Sequence, residues 1–124
     1  MDERPFILIL DDDPSDAYLL RRALGKFINN GVFISAETRE QYIEALQAER
    51  IDVIVSDSSI LGLSAMDAFV LGKTRHAKAT FFIFSGAIKS DLANLAHEVG
   101  VKASIEKQHM EFLIPLIVDA VESR

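Results

Sequence analysis

FILILDDDPSDAYLLRRAL, residues 6–24, holds a strand, an acidic turn and a helix in one short run. FILIL (6–10) is apolar at every position and rich in Ile and Leu, as a strand covered on both faces must be. It stops at Asp11-Asp12-Asp13. Asp13 is placed to cap a helix: Pro14 suits the first helical position, where its missing N–H costs nothing, and Asp16 adds an acid in the first turn. Ala17, Leu20, Leu24 and Phe27 follow at spacings of three and four, which predicts one buried stripe.

The same alternation continues outward. VFISA (32–36), DVIVS (52–56), TFFIFS (80–85) and ASIE (103–106) read as four more short buried strands. Between them lie segments of helical length. The second helix opens with the capping-box pattern Thr38-x-x-Gln41 and turns Ile43 and Leu46 inward. The third covers about 64–74, and the fourth about 89–99, capped by Ser90 and closed by Gly100. Pro115 is disfavoured deep in a helix, so the last one is expected to begin near Ile114, after a short turn at 109–113. Leu92, Leu95, Ala96 and Val99 read mostly as helix core, and Phe81, Phe82 and Phe84 as core on a covered strand. Five β-α repeats need right-handed crossovers, which give a doubly wound parallel α/β sheet, a (βα)5 arrangement read as a single domain over 1–124, for which the flavodoxin-like order 2-1-3-4-5 is the expected one. Ligands of such sheets bind at the carboxyl ends of the strands, where the order reverses.

Composition narrows the function. Apolar residues form 49% of the 124 and charged residues 26%, ordinary for a globular protein. Nineteen acids against 13 Lys and Arg leave a net charge of −6, which argues against a polyanion-coating protein and predicts no nucleic-acid binding by this domain. There is no cysteine, so disulfides and thiolate metal sites are excluded. No apolar run approaches the roughly 18–20 residues that span a bilayer. The opening MDERPFILIL starts acidic and is unlike a signal peptide. A cytoplasmic protein without membrane contact is expected.

At the expected strand ends stand Asp11-Asp12-Asp13, Ser56-Asp57, Ser85-Gly86 and Glu106-Lys107. If the first and third strands are neighbours, Asp11, Asp12 and Asp57 converge. Crowded carboxylates raise one another's pKa or recruit a cation. A hard, oxygen-rich site with open positions suits Mg²⁺, which takes one or two carboxylates, waters and a phosphate oxygen. Lys107 supplies a fixed positive charge and Ser85 a hydroxyl. Around one carboxylate, these groups form an electrostatic cradle for phosphoryl transfer, the carboxylate acting as nucleophile.

ILILDDDPSDAYLLRRAL, DVIVSDSSILGLSAMDAF, FFIFSG and VGVKASIEKQ together resemble, in order and separation, the signature stretches of response-regulator receiver domains, over roughly 6–122. The resemblance implies that Asp57 is the phosphoacceptor, that Asp11 and Asp12 bind Mg²⁺ with Asp57, and that Ser59 offers its backbone carbonyl to the metal. It implies that Ser85 follows the phosphoryl group and Lys107 pairs with it. It also implies a histidine kinase or histidine phosphotransfer protein as donor, and allows a homodimer and an output or kinase domain beyond the C-terminus. Ser59 and Ala87 stand where members of the family orient the hydrolytic water. The sequence departs from the family at Leu61 (commonly Pro), Ala65 (often Gly), Ser104 (often the aromatic that swings inward) and Gln108 (usually Pro). With Gln in place of Pro, the Lys107–Gln108 peptide is expected to be trans.

Bland readings compete. Asp13 reads as a cap only, and His76, His97 and His109, which lack ligand spacing, as surface residues. A haloacid-dehalogenase-like phosphatase would make Asp11 the nucleophile and Asp13 the acid, but it needs a second acidic pair late in the chain and leaves Asp57 idle. A flavodoxin-type redox module lacks its phosphate loop here. A degenerate receiver used only for docking would not need the intact acid set.

Overall fold

The computed structural model describes residues 4–124; residues 1–3, and with them the start of the expected domain, lie outside the described residues. In chain order the elements are β1 (Phe6–Leu10), α1 (Pro14–Gly25), β2 (Val32–Ala36), α2 (Arg39–Ala45), β3 (Val53–Ser56), β4 (Ser59–Ile60), β5 (Leu63–Ser64), α3 (Ala65–Arg75), β6 (Thr80–Ser85), α4 (Ser90–Val99), β7 (Ala103–Glu106), a 3₁₀ turn (Lys107–His109) and α5 (Met110–Glu122). Five strands pair in parallel in the order β2-β1-β3-β6-β7. With the small hairpin β4-β5 set aside, this is the flavodoxin-like order 2-1-3-4-5.

Alternation along the strands builds two cores. Ile7, Ile9, Val53, Val55, Phe82 and Phe84 face α1 and α5, meeting Leu20, Leu24, Leu113 and Ile117. Leu8, Leu10, Ile54, Phe81 and Ile83 face the opposite side, meeting Tyr42, Ala68 and Ala96 of α2, α3 and α4. Each large side chain so buried contributes roughly 1.5–3 kcal/mol, which is why the strands read as unbroken apolar runs.

Caps set the helix starts. Asp13 accepts from the N–H groups of Ser15 and Asp16, so its carboxylate belongs to α1. Thr38 accepts from Gln41 N–H, and Gln41 reaches back to Glu37 N–H, closing the expected box one residue earlier than its standard partner. Ser90 does not cap α4: Lys89 holds that position without a side-chain bond, and Ser90 is the first helical residue. Gly100, at φ +111°, does close that helix.

Four further expectations are corrected. Phe27 is 63% exposed, and Ile28 is buried instead, because α1 ends at Gly25 and the chain turns back on Leu24 carbonyl. Tyr42 rather than Ile43 points inward from α2, its hydroxyl donating to Ala68 carbonyl at 2.7 Å, while Leu46 is buried as expected. Leu95 and Val99 are nearly half exposed; of that α4 group only Ala96 is fully buried. The last helix starts at Met110, not Ile114, with Pro115 inside it. Pro115 costs about 3 kcal/mol there, but burial of Leu113, Ile114, Ile117 and Val121 offsets that cost several times over. Two smaller differences remain: β3 begins at Val53, and Asp52 receives Phe6 N–H on its carboxylate. No helix among the described residues is long and apolar enough to cross a membrane.

Candidate functional site

Strand register brings the site together. Leu10 lies opposite Ser56, so the next residues, Asp11 and Asp57, leave the sheet side by side. Asp57 N–H donates to Leu10 carbonyl at 2.9 Å, which fixes that alignment. Ser85 lies opposite Glu106, which puts Lys107 one step beyond the neighbouring strand end. Carboxylate oxygens of Asp11, Asp12 and Asp57 lie within 4.8 Å of one another. Asp11 is 4% exposed, Asp57 half-buried and Asp12 open to solvent.

Lys107 Nζ ties the cluster down, at 2.8 Å from Asp11 Oδ2 and 3.3 Å from Asp57 Oδ2. A third carboxylate, Asp16 Oδ2, stands at 2.7 Å. Burial alone would lower the Lys107 pKa, but hydrogen bonds to Asp11 and Asp16 and the charges of Asp11 and Asp57 outweigh it and raise it, so the ammonium stays charged. Burial raises the Asp11 pKa, and the contacts from Lys107 and Asp13 N–H offset only part of that rise. Asp57 Oδ1 accepts from Ser58 N–H at 2.7 Å, leaving its other oxygen toward Lys107.

Ser85 is buried, and its hydroxyl shares a 2.6 Å hydrogen bond with Ser58 Oγ. Ser59 is exposed in β4, two residues beyond Asp57, and Ala87 is exposed in the loop after β6. Among the departures, Leu61 stands 97% exposed at the hairpin tip beside Gly62, whose φ of +76° makes the turn. Ala65 is buried and opens α3, its N–H donating to Ser58 carbonyl. Ser104 is half-buried in β7, and the described residues contain no cis peptide, so Lys107–Gln108 is trans. His97 and His109 are exposed; His76 is half-buried, its ring 2.9 Å from Leu46 carbonyl.

Asp16 and Ser58 are the site neighbours that sequence reading missed. Asp16 carries the marks of a helix-dipole acid, and Ser58 differs in nothing from the serines around it. Only distance separates them. The cluster fits a small divalent cation: three carboxylates, one of them exposed, at the carboxyl ends of β1 and β3, with no histidine or cysteine among them. A cation held there would, with Lys107, balance the three carboxylates.

Neither a protein-family model nor a curated protein matches the sequence. Solved structures do match. The receiver domain of a DNA-binding response regulator from Colwellia psychrerythraea is similar at TM-score 0.87 and 21% identity, covering 95% of this chain and 98% of that one. A response-regulator receiver domain from Clostridium thermocellum matches at 0.80 and 22%, over 96% and 95%. A response regulator from Burkholderia pseudomallei, containing a phosphorylated aspartic acid, a calcium ion and citrate, matches at 0.74 and 18%, over 83% and 59%. The chain therefore has the fold of the response-regulator receiver domain.

Proposed function

We propose that this chain is the phosphoacceptor receiver domain of a two-component phosphorelay. The observation that carries the reading is the convergence of Asp11, Asp12, Asp57 and Lys107 at the carboxyl edge, where the order of a receiver-type sheet reverses. Mg²⁺ would be held by Asp11, Asp12, Asp57 and the Ser59 carbonyl, and supplies charge neutralisation for the incoming phosphoryl oxygens. An Asp57 carboxylate oxygen attacks phosphorus. A P–O bond forms as the P–N bond of a phosphohistidine breaks, and the departing imidazole takes up a proton. Lys107 and the Ser85 hydroxyl then contact the phosphoryl oxygens, Ser85 donating to them and accepting from Ser58.

The donor in this reading is a histidine kinase or phosphotransfer protein in the cytoplasm. The chain promotes its own phosphorylation without turning substrate over. An attached output or kinase domain, or a second copy, receives the signal. The phosphatase alternative is disfavoured by Asp13, whose carboxylate is engaged as the α1 cap rather than turned to the cluster as an acid. Incubation with acetyl phosphate and Mg²⁺ tests the choice. A receiver stops at one phosphoryl group per chain, whereas sustained phosphate release at many turnovers per minute would establish a phosphatase.

A further inference from the structure

Among the described residues Lys107 has three carboxylate partners, two of which also belong to the acidic cluster. Asp11 and Asp57 belong to the proposed cation site; Asp16, on the first turn of α1, lies outside that cluster. Yet its contact with Lys107, at 2.7 Å, is the shortest of the three. The pair is also partly sheltered, with the lysine side chain 19% and the aspartate 35% exposed, so solvent screens it less than a free surface pair.

We propose that Asp16 is a positioning residue that holds the Lys107 ammonium against α1 and so tunes the balance between the metal-bound and phosphoryl-bound states. The inference rests on the phosphoacceptor reading above. A cation entering the cluster competes with Lys107 for Asp11 Oδ2 and Asp57 Oδ2. Asp16 gives the displaced ammonium a place to stay, which eases that exchange. A phosphoryl group on Asp57 needs the same ammonium turned inward, and Asp16 then competes for it. The two effects have opposite signs: Asp16 favours cation entry and opposes capture of Lys107 by the phosphoryl group.

Asp16→Asn removes the charge and keeps the shape. Amide NMR titrations of the full chain, first with Mg²⁺ and then with beryllofluoride at saturating Mg²⁺, read both steps. Relative to wild type, the Mg²⁺ dissociation constant should rise and the beryllofluoride constant should fall, each by roughly threefold to fivefold, the scale of one partly screened ion pair. Asp16→Glu, which keeps the charge, should restore both. In a Lys107→Ala background, Asp16→Asn should no longer tighten beryllofluoride. A merely structural role would weaken both ligands together, and that result, or no change in either constant, overturns the inference while leaving the phosphoacceptor reading in place. Tightening that persists without Lys107 overturns it equally. Failure of the wild type to bind beryllofluoride at all would remove the phosphoacceptor reading and this inference with it.

Discussion

On the phosphoacceptor reading, Ser59 and Ala87 would set how long an aspartyl phosphate lasts. Hydrolysis needs a water held in line with phosphorus, and the resemblance to receiver domains gives that task to these two positions. Ala87 cannot hydrogen-bond, and Ser59 is short and faces solvent from β4. Slow self-dephosphorylation is expected. Ser59→Asn should shorten the phosphoryl lifetime by a factor on the order of 10, equivalent to about 1.4 kcal/mol of barrier, measured as decay of labelled protein after donor removal. Rapid wild-type loss, unchanged by the substitution, would assign the water to another group. Lys107→Ala is expected to leave Mg²⁺ binding intact or tighter, because the ammonium now occupies Asp11 and Asp57, and to blunt the shift changes that beryllofluoride induces. A full wild-type shift pattern in the mutant would contradict this. At this scale the candidate residues Asp11, Asp12, Asp57, Ser85 and Lys107 are legible in the sequence because they stand at or just past strand ends. It does not show Asp16 or Ser58, whose parts depend on side-chain reach across α1 and β6.

Elements were legible where a local rule sets their ends and illegible where packing overrides one. The Asp13-Pro14 start of α1 and the Gly100 end of α4 follow from backbone chemistry alone. The start of α5 does not: Pro115 argues for a late start, and the apolar face that overrules it is only recognisable against the sheet. The hairpin β4-β5 leaves no mark in the sequence, because two-residue strands have no periodicity to read. Gly72 in α3 gives a similar conflict between local and tertiary terms. Alanine there would gain about 1 kcal/mol of helix propensity. Its Cβ, however, would come within 2.7 Å of both Ile54 Cδ1 and Tyr42 Oη, and Tyr42 is pinned by its bond to Ala68 carbonyl. Overpacking of about 1–3 kcal/mol wins, so Gly72→Ala should lower the urea midpoint without changing the m-value. An increased midpoint would show that the core yields there. Output, too, belongs to this scale. Ser104 has no ring to bury, while Glu106 Oε2 accepts Ile88 N–H in the loop after β6 at 3.1 Å. On the phosphoacceptor reading, the signal is expected to leave through that loop or α4. Ser104→Ala should barely alter the amide shifts induced by beryllofluoride, and a mutant locked in its inactive pattern would make Ser104 itself the relay.

For the whole molecule, the order of apolar runs and helical segments implies a parallel sheet covered by helices, while the strand order 2-1-3-4-5 rests on resemblance to a known fold. The arrangement then places the acids without further information: one register, Leu10 against Ser56, sets Asp11 beside Asp57. The account consequently stands or falls on Asp57 as the residue that takes the phosphoryl group. The direct measurement is intact-protein and peptide mass spectrometry after incubation with acetyl phosphate and Mg²⁺, on wild type, Asp57→Ala and Asp11→Ala. A single added phosphoryl group is expected, mapping to Asp57, requiring Mg²⁺ and absent from Asp57→Ala. Wild-type labelling of Asp57→Ala, or a phosphoryl group mapped to Asp11, would contradict it.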